Sequence, residues 1–331
     1  MYEIIKNIII NISIIIPTYN AEKTIIQTLK GLENQTNKDF EVIVIDDGST
    51  DSSFELVKSY KTKSRFPIKL IKQKNSGPAK ARNLGVEQSE GNIILFLDSD
   101  CIPYINWVEE MVRPLDGKIV GSNCGYIVQN KESLIARYIG YEIAKRHEKL
   151  VGKYIDTIGT YSAGFTKRVF IEAGGFDINY RKASGEDFDL AFNIKKIGYE
   201  LVFTDKTFVY HYHPDSLRKY LKQQFYRGYW RVRMYLRNKD KIVKGDSYTG
   251  YEAQIQFILS CFALLSILMI FFYPIITFFG LGILVISNIP LGLWTFRKER
   301  KFIIIAPLLA TMRSLAGTFG VGMYFVEKVF K

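Results

Sequence analysis

Three nearly uninterrupted apolar stretches in the last quarter of the sequence constrain the fold most. They run from Ile255 to Tyr273, from Ile275 to Phe296 and from Phe302 to Phe325. Each is close to the roughly 20 residues that an α-helix needs to cross a bilayer. The alternative is a buried helical core, but a soluble helix of that length would carry polar residues along one face. We therefore predict a transmembrane region over residues 251–331 with about three helices.

The net charge of +12 favours contact with a membrane over contact with nucleic acid, because of where the charge lies. Between Leu217 and Lys244 the sequence has ten Lys or Arg residues and a single acidic residue, Asp240. Apolar residues recur in this segment at helical spacing: Leu217, Leu221, Phe225, Tyr229, Val232 and Leu236. We expect a basic amphipathic helix and linker over residues 216–250 at the membrane surface, with docking on the chain's own helices as the alternative.

The short loop of residues 297–301 between the second and third apolar stretches predicts the topology. It contains four basic residues and Glu299. The positive-inside rule places such a loop in the cytoplasm. Because two spans precede the loop, the region before Ile255 is expected on the same side. We therefore predict a multi-pass protein of the cell membrane whose N-terminal region faces the cytoplasm.

The N-terminal part of the sequence predicts a doubly wound α/β domain over residues 1–215. Short runs rich in Ile, Val and Leu, without polar alternation, indicate parallel strands covered on both faces. These runs are Ile12–Ile16, Glu41–Asp46, Ile68–Lys72 and Asn92–Asp98, and helical patterns lie between them at Ala21–Leu32, Ser52–Tyr60 and Pro78–Gln88. Ligands of such sheets bind beyond the carboxyl ends of the strands.

Polar residues stand at three of those strand ends. They are Pro17-Thr18-Tyr19-Asn20 after the first strand, Asp46-Asp47-Gly48-Ser49 after the second and Asp98-Ser99-Asp100 after the fourth. Any one of these segments is explained by a turn or a helix N-cap. Together they predict a single crevice, in which the carboxylates of Asp98 and Asp100 suit a hard cation such as Mg²⁺ or Mn²⁺.

The ordered series of segments resembles glycosyltransferase family 2, whose members have the GT-A fold. The matching segments are Ile15–Asn20, Val44–Asp51, Gly77–Gly85, Asp98–Asp100, Gly174–Asp177 and Gly185–Asp187. The resemblance implies inverting transfer of a sugar from a UDP- or GDP-linked donor, assisted by Mn²⁺ or Mg²⁺. Together with the membrane region it implies a lipid or lipid-linked acceptor such as a polyprenyl phosphate.

The resemblance also implies roles for individual residues. Asp187 is expected to be the catalytic base, with Glu186 positioning the base or the acceptor. Contacts with the nucleotide-sugar are expected from Pro17, Thr18, Tyr19, Glu22, Asp46, Asp47, Arg82, Asp98 and Ser99. The expected metal ligands are Asp98, Asp100 and a late histidine, His213, with His211 as the alternative. One departure is that Ala21 stands where family members often have an acidic residue, and Glu22 follows it.

Residues of the basic helix and of the third span are expected to border the acceptor. Gln224, Arg227 and Trp230 lie in a segment that partly resembles the Gln-x-x-Arg-Trp element of processive polysaccharide synthases, but Gly228 occupies the Trp position. This departure and the small number of spans favour transfer of a single sugar. Arg313 falls within the third span, where a charge is costly; it binds a lipid phosphate or pairs within the helical bundle.

Two other functions are compatible with parts of the sequence. A processive polysaccharide synthase would make long products from one binding event. A membrane transporter or receptor that senses nucleotide-sugars would bind them without turnover. Asp98, Asp100 and Asp187 favour an enzyme, because a sensor does not need a base opposite the leaving group.

Overall fold

The computed structural model describes residues 12–180, 182 and 184–330, which form two compact units. The first unit takes in residues 12–127 and 150–212, and the second takes in residues 128–149 and 213–330. The chain therefore leaves the first unit after residue 127 and returns to it at residue 150. The boundary is not a single point in the sequence.

One half of the sheet in the first unit is parallel. Its strands are β1 (Ile12–Thr18), β2 (Phe40–Asp46), β3 (Ile68–Lys72) and β4 (Ile93–Leu97), in the order β3-β2-β1-β4. They are connected by α1 (Ile25–Glu33), α2 (Ser53–Lys61) and α3 (Pro78–Glu87). The central strands are buried, as expected for parallel strands with helices on their faces. The predicted doubly wound arrangement is confirmed for this half.

The other half of the sheet contains β5 (Cys101–Pro103), β6 (Ile119–Val128), β7 (Tyr154–Ile155), β8 (Ser162–Thr166) and β9 (Glu200–His211). From β4 the order continues β8-β6-β9-β5, and β7 pairs with β9. This half contains antiparallel pairings: β4 with β8, β6 with β8, β5 with β9 and β7 with β9. The helices are α4 (Trp107–Val112), α6 (Lys167–Glu172) and α7 (Glu186–Lys196). The pairing of β5 with β9 sets Cys101 opposite His211.

The second unit is helical. Its helices are α5 (Leu134–His147), α8 (Leu217–Arg237), α9 (Asp240–Lys244), α10 (Gly250–Leu268), α11 (Pro274–Ile286), α12 (Ile289–Phe296) and α13 (Phe302–Val329). In the described part of the chain, three helical segments are long and apolar enough to cross a membrane: Gly250–Leu268, Pro274–Phe296 and Phe302–Val329. Their apolar surface is open, and Phe271 at the turn between the first two is 93% exposed. The predicted number of apolar helices is confirmed.

Arg313 has protein partners in this unit. Its guanidinium donates hydrogen bonds to Glu142 of α5 and to Gln256 of α10. Glu142 also accepts from Arg146 and from the Tyr220 hydroxyl. Of the two roles that the sequence leaves open for Arg313, pairing within the helices is the one that the structure shows.

Helix α8 packs closely on α13 through glycines. A Cβ atom at Gly228 would lie 1.9 Å from the carbonyl oxygen of Gly317, and one at Gly320 would lie 2.0 Å from the carbonyl oxygen of Phe225. The Tyr229 ring lies against the ring of Tyr324. Part of the apolar face of α8 therefore docks on the chain itself. The contact also explains why glycine stands at position 228, since a larger residue would separate the two helices.

Replacing Gly228 with alanine is expected to destabilise the second unit by about 1–3 kcal/mol, because the added methyl group overpacks a backbone contact. Gly282→Ala is the matched control, since a Cβ atom there meets nothing within 4 Å. The measurement is the thermal unfolding midpoint of the two purified variants and of the unmodified chain in detergent. Equal midpoints for Gly228→Ala and the unmodified chain would contradict the close packing of α8 on α13.

Candidate active site

The ends of β1 and β2 present two polar atoms that have no partner in the part of the chain that the structure describes. Thr18 and Asp46 are register neighbours, and both side chains are buried. Oδ1 of Asp46 accepts a hydrogen bond from the Ser49 N–H at 3.0 Å. Within the described residues, Asp46 Oδ2 and Thr18 Oγ1 have no hydrogen-bond partner. Buried polar atoms without partners are costly, so this pair is suited to receive a ligand.

Asp47, the next residue, serves to hold a loop in place. Its carboxylate accepts hydrogen bonds from Gln73 Nε2 at 2.6 Å, from the Ser76 N–H at 2.8 Å and from the Gly77 N–H at 2.9 Å. Both of its oxygens are therefore engaged with the segment that leads into α3. Of the two aspartates expected near the nucleotide, Asp46 is the one with an oxygen that no described residue engages.

The remaining residues of the first strand end line the same edge of the sheet. Pro17 is half-buried, and Tyr19 is 52% exposed. Glu22 accepts a hydrogen bond from the Ser52 N–H at 3.1 Å, which ties the turn after β1 to the turn after β2. Ser99, beyond β4, is half-buried. The exposed face of Tyr19 is available to a ligand, while Glu22 has a local structural partner.

Arg82 of α3 is the electrostatic centre of the site. It is 2% exposed, and its Nη2 lies 2.8 Å from Asp98 Oδ1 while its Nη1 lies 3.1 Å from Glu186 Oε1. Burial alone would lower the pKa of Arg82, but the carboxylates of Asp98 and Glu186 outweigh it and the pKa is raised. The guanidinium therefore joins the end of β4 to the start of α7. Its terminal nitrogens contact carboxylates, and the contact with the nucleotide-sugar that the resemblance implies for Arg82 stays a prediction.

Glu186 and Asp187 begin α7 directly after Gly185, which has φ of 112°. A positive φ of this kind favours glycine, so the sharp entry into the helix depends on this residue. Glu186 is buried, and its Oε2 accepts a hydrogen bond from the Ser184 N–H at 2.7 Å. Burial, followed by the charge of Asp187, raises the pKa of Glu186 to about 7. Asp187 is half-buried in the first turn, so its carboxylate is more accessible than that of Glu186.

A second group of candidate ligands lies around Asp100. His211 Nε2 is 3.4 Å from Asp100 Oδ1, and Cys101 Sγ is 3.7 Å from the same oxygen. Among the described residues searched for metal-binding groups, these three have ligand atoms that all lie within 4.8 Å of one another. The His211 ring stacks on Tyr161 with the ring centroids 5.8 Å apart. This residue set fits a divalent metal ion.

His211, the alternative histidine, is the one placed beside Asp100. The backbone of His213 exchanges hydrogen bonds with the Asn130 side chain at 3.0 and 2.8 Å. Asp98 is not part of the three-residue group and pairs with Arg82 instead. Alternation along a strand would put both histidines on one face, but β9 ends at His211, so His213 lies outside the strand.

The residues expected near the acceptor belong to the second unit. Gln224 is buried, and Arg227 and Trp230 are half-buried on α8. Arg313 is on α13 and has the internal partners described above. Cys101 is the residue near the site that the sequence did not indicate, because the three cysteines are too widely spaced to form a ligand motif.

Solved structures with a similar fold include two glycosyltransferases. The mannosyltransferase PcManGT from Pyrobaculum calidifontis, solved in complex with GDP-Man and Mn²⁺, matches 96% of this chain and 87% of its own with a TM-score of 0.63 and 16% identity. Residues 1–349 of TarS from S. aureus match 96% of this chain and 92% of their own with a TM-score of 0.50 and 17% identity. At this level of identity the likeness concerns the fold, which is the GT-A fold expected from the sequence.

Curated relatives match parts of the chain. Glycosyltransferase AglE of Haloferax volcanii is 29% identical over 232 residues, which are 68% of this chain and 74% of that protein. An uncharacterized glycosyltransferase of Rickettsia bellii is 36% identical over 159 residues, which are 48% of this chain and 20% of the relative. The chain thus matches only about a fifth of the length of that Rickettsia protein.

Two family models match most of the chain between them. Residues 13–172 match the model described as glycosyl transferase family 2, which spans the strand ends at Thr18, Asp46 and Asp98. Residues 93–312 match the model described as glycosyl transferase family group 2, which continues from β4 through α7 and α8 into α13. The chain therefore belongs to glycosyltransferase family 2.

Proposed function

We propose that this enzyme transfers a single sugar, with inversion, from a UDP- or GDP-linked donor to a membrane lipid or lipid-linked acceptor such as a polyprenyl phosphate. The observation that carries the proposal is the pair of carboxylates bound to Arg82. Arg82 thereby joins Asp98, at the donor end of the sheet, to Glu186, which is next to the proposed base Asp187. The family relationship supplies the reaction class, and the open apolar helices support an acceptor in the bilayer.

The donor would bind across the ends of β1, β2 and β4. The oxygen of Asp46 that lacks a partner would accept a hydrogen bond from the base, and both uracil and guanine have N–H groups that can donate it. The Thr18 hydroxyl lies beside it, and the exposed ring of Tyr19 offers a stacking surface. Because either base can donate a hydrogen bond to Asp46, the proposed donor is linked to UDP or to GDP.

Asp187 would act as the general base. In an inverting displacement, a carboxylate on the side opposite the leaving group takes the proton of the acceptor hydroxyl as the new bond forms. Glu186 is buried and bonded to Arg82, so it would position this turn of α7 rather than contact the acceptor. Asp98 would be oriented by Arg82 toward the donor sugar.

Mn²⁺ or Mg²⁺ would be held by Asp100 and His211, and when bound it would supply positive charge to the leaving diphosphate. This assignment replaces His213 with the histidine that lies 3.4 Å from Asp100. PcManGT was solved with Mn²⁺, which supports a divalent ion in a fold of this kind. Asp98 would remain close to the donor without being a required metal ligand.

The catalytic region, residues 1–215, is proposed to face the cytoplasm. The basic loop of residues 297–301 and the basic helix α8 support this orientation through the positive-inside rule. The three apolar segments would anchor the enzyme as a multi-pass protein, with residues 251–331 in the membrane. An enzyme held in this way meets a bilayer-borne acceptor in two dimensions, which raises their effective concentration.

The direct test uses the purified full-length chain in detergent. It is incubated with each of several UDP- and GDP-sugars and Mn²⁺, with and without polyprenyl phosphate, and the released nucleoside diphosphate and the lipid product are measured. We expect acceptor-dependent release with one donor, a product carrying one sugar of inverted anomeric configuration, and loss of activity in EDTA. Long products would indicate a processive synthase, and binding without turnover would indicate a sensor. Full activity in EDTA would refute the metal assignment.

A further inference from the structure

Helix α13 is bound to α5 and α8 from its first turn to its last. At its start, the Phe302 ring lies against the ring of Tyr141 with the centroids 5.2 Å apart. In its middle, Arg313 donates to the carboxylate of α5 described above. Near its end, Glu327 accepts a hydrogen bond from the Tyr229 hydroxyl of α8. The depth of α13 in a membrane is therefore set by α5 and α8.

Helix α8 is too highly charged to lie in the hydrocarbon core of a bilayer. Its 21 residues include seven Lys or Arg residues and no acidic residue. Each Lys or Arg at the bilayer centre costs about 2.5–3.5 kcal/mol on insertion scales. The contact of α8 with α13 runs from Gly317 to Glu327, which is about 15 Å of helix. Because Gly317 lies about 22 Å along the helix from Phe302, a crossing α13 would carry α8 into the far half of the roughly 30 Å core.

Helix α13 has one exposed apolar face and one face that packs on protein. Exposed apolar side chains recur along the whole helix at spacings that place them on one face: Ile304, Leu308, Met312, Phe319, Met323 and Val326. The opposite face carries Arg313, Gly317 and Gly320, which contact α5 or α8. An apolar face that continues for about 33 Å while the other face packs on charged helices is suited to the membrane interface.

The two apolar segments before α13 form an antiparallel hairpin whose base rests on α13. Gln256 Nε2 of α10 donates a hydrogen bond to Asn288 Oδ1, directly before α12, at 2.8 Å. Asn288 Nδ2 in turn donates to Thr311 Oγ1 of α13 at 3.3 Å. The tip of the hairpin carries Phe271, which is 93% exposed. The hairpin therefore has the length and the open apolar surface of a membrane-inserted element, and α13 lies at its base.

We propose that α13 lies along the membrane surface with its exposed apolar face in the lipid, and that of the three apolar segments only the two in the α10–α12 hairpin cross the bilayer. The partner of this face is the interfacial layer, where headgroups meet acyl chains. At that level the basic residues of α8 reach lipid phosphates and water. The placement rests on the membrane anchoring in the proposed function and refines it, because all three segments contact lipid but α13 does not cross. The end of α13 then lies on the same side as the basic loop of residues 297–301.

The depth of spin labels along α13 tests this placement on the full-length chain in phospholipid vesicles. Cys261→Ser is the background, because the other two cysteines are buried. Labels are attached to Ile304→Cys, Met312→Cys, Phe319→Cys and Val326→Cys, and their collisions with oxygen and with a water-soluble nickel chelate give the depth. We expect all four within about 5–10 Å of the headgroup boundary. A crossing α13 would instead give depths that rise to the bilayer centre and fall again.

Two positions on the hairpin are matched controls for the depth measurement. Ile258 and Leu265 of α10 are 66% and 64% exposed, and both are replaced with cysteine in the same background. Seven residues along a crossing helix change the depth by about 10 Å. Ile304 and Met312, at a similar separation on α13, should differ by much less. A depth gradient along α13 as steep as the gradient along α10 would overturn the proposal.

Labelling from one side of sealed, oriented membrane vesicles is a second test that needs no depth calibration. A membrane-impermeant maleimide is applied to Arg300→Cys, in the basic loop, and to Val329→Cys, at the end of α13. Both positions are exposed, so neither substitution disturbs packing. Both cysteines should react from the same side of the membrane. Reaction from opposite sides would overturn the proposal.

These outcomes are separable from those of the proposed function, because neither experiment contains a nucleotide-sugar or an acceptor. Constant depth and same-side labelling in a protein that transfers no sugar refute the function alone. Opposite-side labelling in a protein that transfers sugar refutes the placement of α13 alone.

Discussion

Replacing Asp187 with asparagine is expected to lower the rate of sugar transfer by about 100- to 10,000-fold, which is the usual contribution of a general base. Asparagine has nearly the same shape as aspartate but does not accept a proton at neutral pH. Donor binding should be unchanged, because Asp187 lies in α7 and not at the strand ends that would hold the nucleotide. The measurement is kcat for product formation together with the Kd of the nucleotide-sugar.

Asp205→Asn is the matched control for this substitution. Its side chain is 47% exposed on β9, and its ion-pair contact with Lys206 is at 4.0 Å. The same chemical change at that surface position should leave kcat within about twofold, since surface charges away from a site contribute little. Asp187→Asn with kcat equal to that of the control would exclude Asp187 as the base.

Replacing Arg82 with methionine is expected to destabilise the first unit by about 3–5 kcal/mol, because it leaves Glu186 and Asp98 without their shared counter-charge. Methionine fills most of the volume, so the loss is mainly electrostatic. For a unit of this size the loss corresponds to a fall of roughly 6–20 °C in the midpoint of thermal unfolding. Circular dichroism or intrinsic fluorescence of the detergent-purified chain measures it.

Two further variants separate the buried pair from a general effect of removing arginine. Arg113, directly after α4, is 62% exposed and pairs with Glu109 of that helix, so Arg113→Met should cost less than about 1 kcal/mol. Adding Glu186→Gln to Arg82→Met should recover part of the lost stability, because the buried carboxylate that lacks a partner is removed with it. If the loss of stability in the double variant equals the sum of the losses in the two single variants, the Arg82–Glu186 contact is not the source of the effect.

The parallel half of the sheet was predictable from the sequence because its strands are short apolar runs bounded by turns and helices. The runs ending at Thr18, Asp46 and Leu97 carry this pattern. Buried parallel strands can be recognised from this local pattern, without knowledge of contacts between distant residues. The same pattern located the polar strand ends, where Asp46 and Asp98 stand.

The antiparallel half was not predictable in the same way, because it depends on pairings between distant segments. Strand β5 has three residues, and its partner β9 lies more than 100 positions further along the chain. Without that register, His211 and His213 are equivalent candidates and Cys101 has no visible relation to either. The role of Arg82 was also hidden, since its two carboxylate partners come from separate elements that only the fold brings together.

The contact between α5 and α13 can form only late in the synthesis of the chain. Glu142 and its partner Arg313 are 171 positions apart, so the ribosome adds Arg313 on the order of 10–30 s after Glu142 at about 5–20 residues per second. During that interval Arg146, one turn away on α5, is the counter-charge already present. The second unit thus cannot close around Glu142 until the first half of α13, which contains Arg313, has left the ribosome, and truncation after residue 215 would remove that partner permanently.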